Sequence, residues 1–470
     1  MMKLASIVLC AGVGSRLKSA KSKILHELCG RPMGYWPIKN AVEISSETIV
    51  VVGHQALEHE RVLGSYFSNN IKFAHQKQPD GTAQAVKAAL KLLDPSFTSI
   101  LVLCGDTALL KKESLQKLIT IQSRSHVPIA LLTAHAADPR GYGRIIRNDF
   151  EHITKIIEDK EATGLEKEIR EVNTGVYVFD ADFLRANIDK INNNNAKHEY
   201  YLTDLIELYL NKGPKHGPVE SFEINFEEML GVNDRAQLAH VQSVLNQRLL
   251  NYWMLEGVTV IDPASTHIEE GVSLAKDCVI YPGVHLRGST HIGEGAVVEN
   301  GSIIIDTIIE KHAHILPYTW CERAHIGENT QVGPFARLRA GTHLEKDVKI
   351  GNFVEIKQSH LKSGTKASHL AYIGDTELGE NCNVGAGAIT CNYDGEQKHK
   401  TLISDHVFIG SNATLIAPLA IGKESYIAGG SVISQDVPSN NLAIGRAHQV
   451  NKPRSPKIPR KNGLNEKRLP

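Results

Sequence analysis

IGENTQVGPFARLRAGTHLEKDVKIGNFVEI, residues 326–356, carries an aliphatic residue at every sixth position: Ile326, Val332, Leu338, Leu344, Ile350 and Ile356. Neither a helix of 3.6 residues per turn nor a strand alternating every second residue produces that period. A parallel β-helix does. Each six-residue unit forms one side of a triangular coil with its aliphatic residue inward, three units close a turn, and residues 18 apart are expected to stack. Two more runs extend the pattern, Ile268, Leu274, Ile280, Leu286, Ile292 and Val298 before it, and Ile403, Ile409, Leu415, Ile421, Ile427 and Ile433 after it. Val384 and Ile403 are 19 apart rather than 18, and CNYDGEQKHK at 391–400 has no aliphatic register. A loop is expected to leave the coil there, and irregular loops on rigid scaffolds are where function concentrates.

Upstream of the repeats the pattern is different. Short aliphatic or β-branched runs at 5–10, 48–52, 100–104 and 129–133 alternate with amphipathic stretches such as 82–93. This predicts a Rossmann-like α/β domain with a mostly parallel sheet covered on both faces, binding ligands beyond the carboxyl ends of its strands. Leu238, Val241, Leu245, Leu249 and Trp253 then recur at helical spacing behind Asp234 as a cap, and read as a connecting strut. The expected organisation is an α/β domain at 1–233, a linker helix at 234–256, a β-helix at 257–451 and a flexible basic tail at 452–470.

Lysine plus arginine equals aspartate plus glutamate at 52 each. No global field draws the chain to nucleic acid or an anionic membrane, so small molecules are the expected partners. The seven cysteines form no C-x-x-C pair and no regular framework, as in a reduced compartment. The apolar run 4–10 is followed at once by Gly12, Gly14 and Arg16, unlike a processed leader, and no stretch reaches the roughly 20 apolar residues of a membrane span. A cytoplasmic location is expected.

LCAGVGSRLKSAKSK, residues 9–23, follows the first predicted strand. Gly12 and Gly14 let backbone N–H groups approach an anion, although spacing alone suits a plain tight turn equally well. Arg16 and Lys23 shift the reading toward a polyphosphate. The stretch lacks G-K-[ST], so γ-phosphate hydrolysis of the P-loop kind is not expected.

L-x-A-G-x-G-[ST]-R-L followed by lysine resembles the signature of the sugar-nucleotide pyrophosphorylases. The match continues through Gln76, Gly81-Thr82, LCGD at 103–106, GYGRI at 141–145, Glu158, NTG at 173–175 and Asn233. With a hexapeptide β-helix behind it, the chain to about residue 450 resembles the bacterial bifunctional N-acetylglucosamine-1-phosphate uridylyltransferases and glucosamine-1-phosphate acetyltransferases. The resemblance implies a left-handed coil, a homotrimer, and synthesis of a cell-wall precursor from glucosamine 1-phosphate, acetyl-CoA and UTP. It implies UDP-sugar contacts at Leu9, Cys10, Ala11, Gly12, Lys23, Gln76, Gly81, Thr82, Cys104, Gly105, Asp106 and Asn233, with Gly143, Glu158 and Asn173 on the sugar side. Asp106 and Asn233 match the Mg2+ ligands, a hard-oxygen pair completed by phosphates and waters. Lys23 and Arg16 would neutralise charge as the sugar 1-phosphate attacks the α-phosphorus of UTP. Cys10, Ser22 and Ala108 stand where alanine, proline and proline are usual, which leaves the charged groups in place.

On the coil, the resemblance implies that Arg339 and Lys357 hold the sugar phosphate, Tyr372 and Asn383 the sugar, and that His369 is the base. It assigns Ala386, Asn392, Tyr393, Ser411, Gly429 and Arg446 to acetyl-CoA, Gly429 replacing a common alanine. His267 and His285, and His325 and His343, fall 18 apart and are expected to stack outward. Two other readings stay open: a pyrophosphorylase whose coil only oligomerises, and a zinc hydratase built on histidines of neighbouring coils.

Overall fold

The computed structural model describes residues 2–12, 14–195, 197–211 and 217–453. Most of the expected basic tail, 454–470, lies outside the described residues. The chain divides into two compact units, Met1–Leu255 with His267–Val272, and Glu256–Thr266 with Ser273–Pro470.

The first unit is built on nine strands: β1 (Leu4–Leu9), β2 (Glu47–Val52), β3 (Lys72–His75), β4 (Ser99–Cys104), β5 (Ile129–His135), β6 (Arg144–Arg147), β7 (Ile153–Ile157), β8 (Glu171–Asp180) and β9 (Glu220–Ile224). Their order is β9-β5-β8-β4-β1-β2-β3, with the β6/β7 hairpin attached to β8. Neighbours pair in parallel except around β8, which runs antiparallel to both β4 and β5. The main path is therefore mostly parallel with one reversed strand, β8, and the hairpin strand β7 runs the same way as β8, neither of which the periodicity announced.

The helices are α1 (Tyr35–Ile44), α2 (Ala56–Phe67), α3 (Thr82–Leu90), α4 (Lys112–Ser125), α5 (Ala181–Asn187), α6 (Asp204–Leu210) and α7 (Arg235–Leu255). Alternate strand residues feed two apolar layers. Ile7, Ile49, Val51, Ile100 and Val102 pack with Val86 and Ala89 of α3 on one face. Val8, Val50, Val52, Leu101 and Leu103 pack with Ile38 of α1 and Leu118 of α4 on the other. Burial on both faces is why these strands read as unbroken aliphatic runs.

Asp234 caps α7 as expected, its carboxylate accepting from the Gln237 N–H at 2.8 Å. The helix is not a free strut. Val241 and Leu245 are buried against Leu17, Leu28, Met33 and Leu109, so α7 packs as part of the first unit.

The second unit is a coil whose three sides are parallel sheets. Val332 stacks on Ile350, and Leu338 on Ile356, 18 residues on. The expectation of a uniform 18 needs correction: Ile350 stacks on Ala367, Leu344 on Leu361 and Ile356 on Ile373, each 17 apart. One side of such a coil spends five residues rather than six. The same shortening places Ile304, Ile309, Ile315 and Cys321 inside, filling the gap between the first two hexad runs. Each fully buried aliphatic removes from water an apolar side chain that stabilises by about 1.5–3 kcal/mol. The loop was placed correctly. Leu378 stacks on Ile403 across 25 residues, and the excess is the excursion after Cys391.

Candidate active sites

In the first unit, a cavity of about 350 Å³ opens beyond the carboxyl ends of β1 and β4. Leu9, Ala11, Gly12, Lys23, Gln76, Gly81, Thr82, Cys104 and Asp106, all expected at the nucleotide, line it together. Ile24, Pro79, Ala85 and Glu199 complete the lining and carried no sequence signal. Two glycines are needed by the backbone. Gly14 has φ +65°, and a Cβ there would lie 2.5 Å from Cβ of Lys23, so the lysine stem packs flat on the loop. Gly81 has φ +109°, and its Cβ would fall 2.5 Å from the Tyr200 carbonyl oxygen.

The charged centre is compact. The Lys23 ammonium bonds the Asp106 carboxylate and reaches Asn233 Oδ1 at 3.3 Å. Arg16 Nη2 donates to the same Asn233 oxygen at 2.7 Å but is not part of the cavity lining. The Lys23 ammonium thus already bridges one carboxylate and one amide oxygen, two hard oxygen donors. The two cysteines expected at the nucleotide differ in placement. The Cys10 thiol is wholly buried, faces Gly105 and is pushed upward by burial, so its side chain does not meet the cavity. The Cys104 thiol, at the lining, is pushed up to about 12 by burial with the Asp106 charge adding, and stays neutral. Gly105 donates to the Leu9 carbonyl at 3.0 Å, locking β4 to β1 at the cavity floor.

The sugar-side residues cluster separately. Asn173 donates its N–H to the Gly143 carbonyl at 2.8 Å and exchanges hydrogen bonds with the Tyr177 hydroxyl at 2.7 and 3.0 Å. Glu158 lines a second cavity of about 400 Å³ with Tyr201 and Asp204. Burial pushes Glu158 upward, and pushes Asp204 up to about 6 with help from Glu207. The arginine of GYGRI explains that motif. Arg144 is buried, bonds the Tyr142 carbonyl and pairs with Asp159 at 2.8 Å, holding Gly143 and the residue after Glu158 in place.

On the coil, two corners of one side carry the expected residues. Asn352 stands in register with His369. The registers Ala367–Val384, Val384–Ile409 and Ile409–Ile427 carry the same column on through Ala386, Ser411 and Gly429. His369 therefore heads a column of small residues. Its Nδ1 meets Asn352 Oδ1 at 2.8 Å. A carbonyl oxygen only accepts, so Nδ1 is the donor, and in the neutral ring the lone pair is on Nε2. Asn352 was not legible, because its partner lies a full coil away. Arg446 Nη1 donates to the Gly429 carbonyl at 2.7 Å, and an alanine Cβ at 429 would lie 3.3 Å from the Ser411 oxygen.

The opposite corner of that side is cationic. Arg339 pairs with Glu355 at 2.9 Å, and Glu355 stacks under Tyr372. Lys357 is held below the ordinary lysine range, first by the Lys398 ammonium at hydrogen-bond reach, then by burial, with Arg339 adding and Asp375 opposing. Asn392 bonds Asp375, and the Tyr393 hydroxyl bonds the Gly395 carbonyl within the excursion. Asn383 stands between Lys366 and Phe408 on the adjoining side. The histidine stack holds and extends to three: His325 Nδ1 lies 3.3 Å from His343 Nε2, and His343 stacks on His360 with centroids 4.7 Å apart. Glu310 and Glu345 take the outer nitrogens at 2.9 Å each.

An α/β unit with a glycine-lined cavity ahead of a hexapeptide coil is the architecture of a two-domain transferase, and the comparisons with known proteins agree. Residues 5–254 match the nucleotidyl transferase family, 323–358 the bacterial transferase hexapeptide (six repeats) and 401–435 the hexapeptide repeat of succinyl-transferase. The chain is 44% identical over 449 residues to the bifunctional protein GlmU of Trichlorobacter lovleyi, spanning 95% of this chain and 97% of that protein. GlmU of Caldanaerobacter subterraneus subsp. tengcongensis is 44% identical over 453 residues, spanning 96% and 97%. The chain belongs to the GlmU family, bifunctional enzymes that join a uridylyltransferase to a hexapeptide-repeat, left-handed β-helix acetyltransferase. No helix among the described residues is long and apolar enough to cross a membrane.

Proposed function

We propose that the α/β unit joins UTP to N-acetylglucosamine 1-phosphate, releasing pyrophosphate, and that the coil first makes that sugar by acetylating glucosamine 1-phosphate with acetyl-CoA. The observation that carries the first reaction is the single cavity holding nine of the expected nucleotide contacts against the Lys23–Asp106–Asn233 centre. The sugar phosphate attacks the α-phosphorus of UTP, so the chain's task is to position two anions and neutralise their repulsion. Lys23 supplies charge at the cavity wall, and Arg16 orients Asn233. Asp106 and Asn233 would hold Mg2+, which neutralises phosphate charge when bound.

The column beneath His369 supports the second reaction. An amine attacks a thioester as the neutral nucleophile and sheds a proton as the tetrahedral intermediate forms. Nε2 of His369 is presented to take it, while Arg339 and Lys357 grip the phosphate at the other end of the side and Tyr372 and Asn383 flank the sugar. Acetyl-CoA would run down Ala386, Ser411 and Gly429 toward Arg446, with Asn392 and Tyr393 on the excursion beside it.

His369 is exposed in a single chain, which supports a homotrimer in which neighbouring copies cover this column. We place the activities in 1–233 and 257–451, with 234–256 between them, in a cytoplasmic enzyme. Glucosamine 1-phosphate, acetyl-CoA, UTP and Mg2+ supplied together should yield UDP-N-acetylglucosamine by mass spectrometry. Asp106→Ala should abolish uridylyl transfer and leave acetyl transfer intact. Equal loss of both in a folded variant would overturn the two-site reading.

A further inference from the structure

Lys23 is useful only if its ammonium is held at Asp106 and Asn233, yet it sits just after an irregular stretch of loop. The residue before it is fixed from a distance. Ser22 Oγ lies 2.6 Å from Nε2 of His59, 37 residues on in the first turn of α2, and both side chains are buried. Ser22 occupies the N-cap of the short turn Lys23–Leu25 but makes no capping bond, because its hydroxyl is committed to the imidazole. Gln55, at the start of the same helix, donates to the Ala20 carbonyl at 3.2 Å. Two side chains from one helix end thus hold the loop on the chain side of Lys23, while Gly14 packs against the lysine stem.

The ring has little other reason to be there. Nδ1 of His59 is enclosed with no hydrogen-bond partner among the described residues, so the imidazole bears the cost of burying a polar atom and makes one polar contact in return. Burial holds His59 below the ordinary histidine range, so the ring is neutral, and Nε2–H donating to Ser22 avoids an orphaned N–H. An aliphatic side chain would fill the same space without that cost.

We infer that the buried Ser22–His59 hydrogen bond is a positioning pair that ties the Lys23 loop to α2 and holds the Lys23 ammonium in register for uridylyl transfer. The inference rests on the role proposed above for Lys23. Its strength is set by geometry, since a misplacement of about 1 Å at a reacting centre costs up to about 100-fold.

His59→Leu in the full-length enzyme should lower kcat of uridylyl transfer by roughly tenfold, with KM for UTP within about threefold and acetyl transfer unchanged. His59→Gln, which keeps a donor near Nε2, should retain activity. Ser22→Pro should rescue His59→Leu. Ser22 has φ −55° and ψ 142°, which proline accepts, and its N–H makes no hydrogen bond among the described residues, so the ring can replace the tether with stiffness. Lys23→Ala is measured in parallel. Loss in His59→Leu with rescue by Ser22→Pro supports the pair. Unchanged activity in His59→Leu while Lys23→Ala is dead overturns it, as does a loss that Ser22→Pro and His59→Gln leave unrelieved. An active Lys23→Ala enzyme would instead overturn the role of Lys23 itself.

Discussion

Asn352→Ala should slow acetyl transfer without touching the group that takes the proton. The 2.8 Å contact between Nδ1 of His369 and Oδ1 of Asn352 selects the tautomer whose Nε2 is free and holds the ring's orientation. A neutral hydrogen bond of this kind contributes a net of about 0.5–1.5 kcal/mol, which translates into an about 2- to 13-fold loss of competent imidazole. His369 is exposed, so water replaces part of the lost contact and the lower half of that range is expected. The fall should appear in kcat, with KM for glucosamine 1-phosphate unchanged, because Arg339 and Lys357 lie at the other corner. His369→Ala should cost far more, roughly 10²–10⁴, the range for one general base. Release of free CoA thiol, followed with a thiol-reactive dye, measures both. The decisive comparison is the double variant. If Asn352 acts through His369, adding Asn352→Ala to His369→Ala costs nothing further, whereas an undiminished second loss, or an effect confined to KM, would refute the coupling.

Lys357, held below the ordinary lysine range by Lys398, should lose its charge earlier on the alkaline side than a normal lysine. Affinity for the sugar phosphate then falls as pH rises through that lowered value, and Lys398→Ala should move the fall to higher pH, read by calorimetric titration at several pH values. Gly81→Ala should cost about 1–3 kcal/mol for its backbone conformation alone, before the clash with Tyr200 is counted. A lowered melting temperature with a raised KM for UTP is the expected signature, and a neutral outcome would mean the loop relaxes freely.

The coil was legible because its period has no competitor in ordinary secondary structure, and the nucleotide loop because Gly12, Gly14, Arg16 and Lys23 fall within a dozen residues. What escaped has a common cause. Five-residue sides such as Ile304 to Ile309 break the count without breaking the stack, since backbone pairing tolerates a shorter corner. Asn352, Lys398 and His59 gain their meaning from partners a coil or a helix away, which spacing along the chain does not encode. The reversed β8 was hidden because a central strand is apolar on both faces whichever way it runs. The packing of α7 was hidden because its spacing shows that a face is buried without naming the surface that covers it.

The unequal coils have a mechanical consequence. In a stack where each layer touches only its neighbours, a pulling force at the carboxyl end detaches one layer at a time. A layer of 17 or 18 residues frees a contour of about 56–65 Å at 3.3–3.6 Å per residue. The layer carrying the excursion, 25 residues from Leu378 to Ile403, frees about 83–90 Å. A single molecule held in an optical trap would yield in nearly even steps, with one long step marking the passage of the excursion after Cys391.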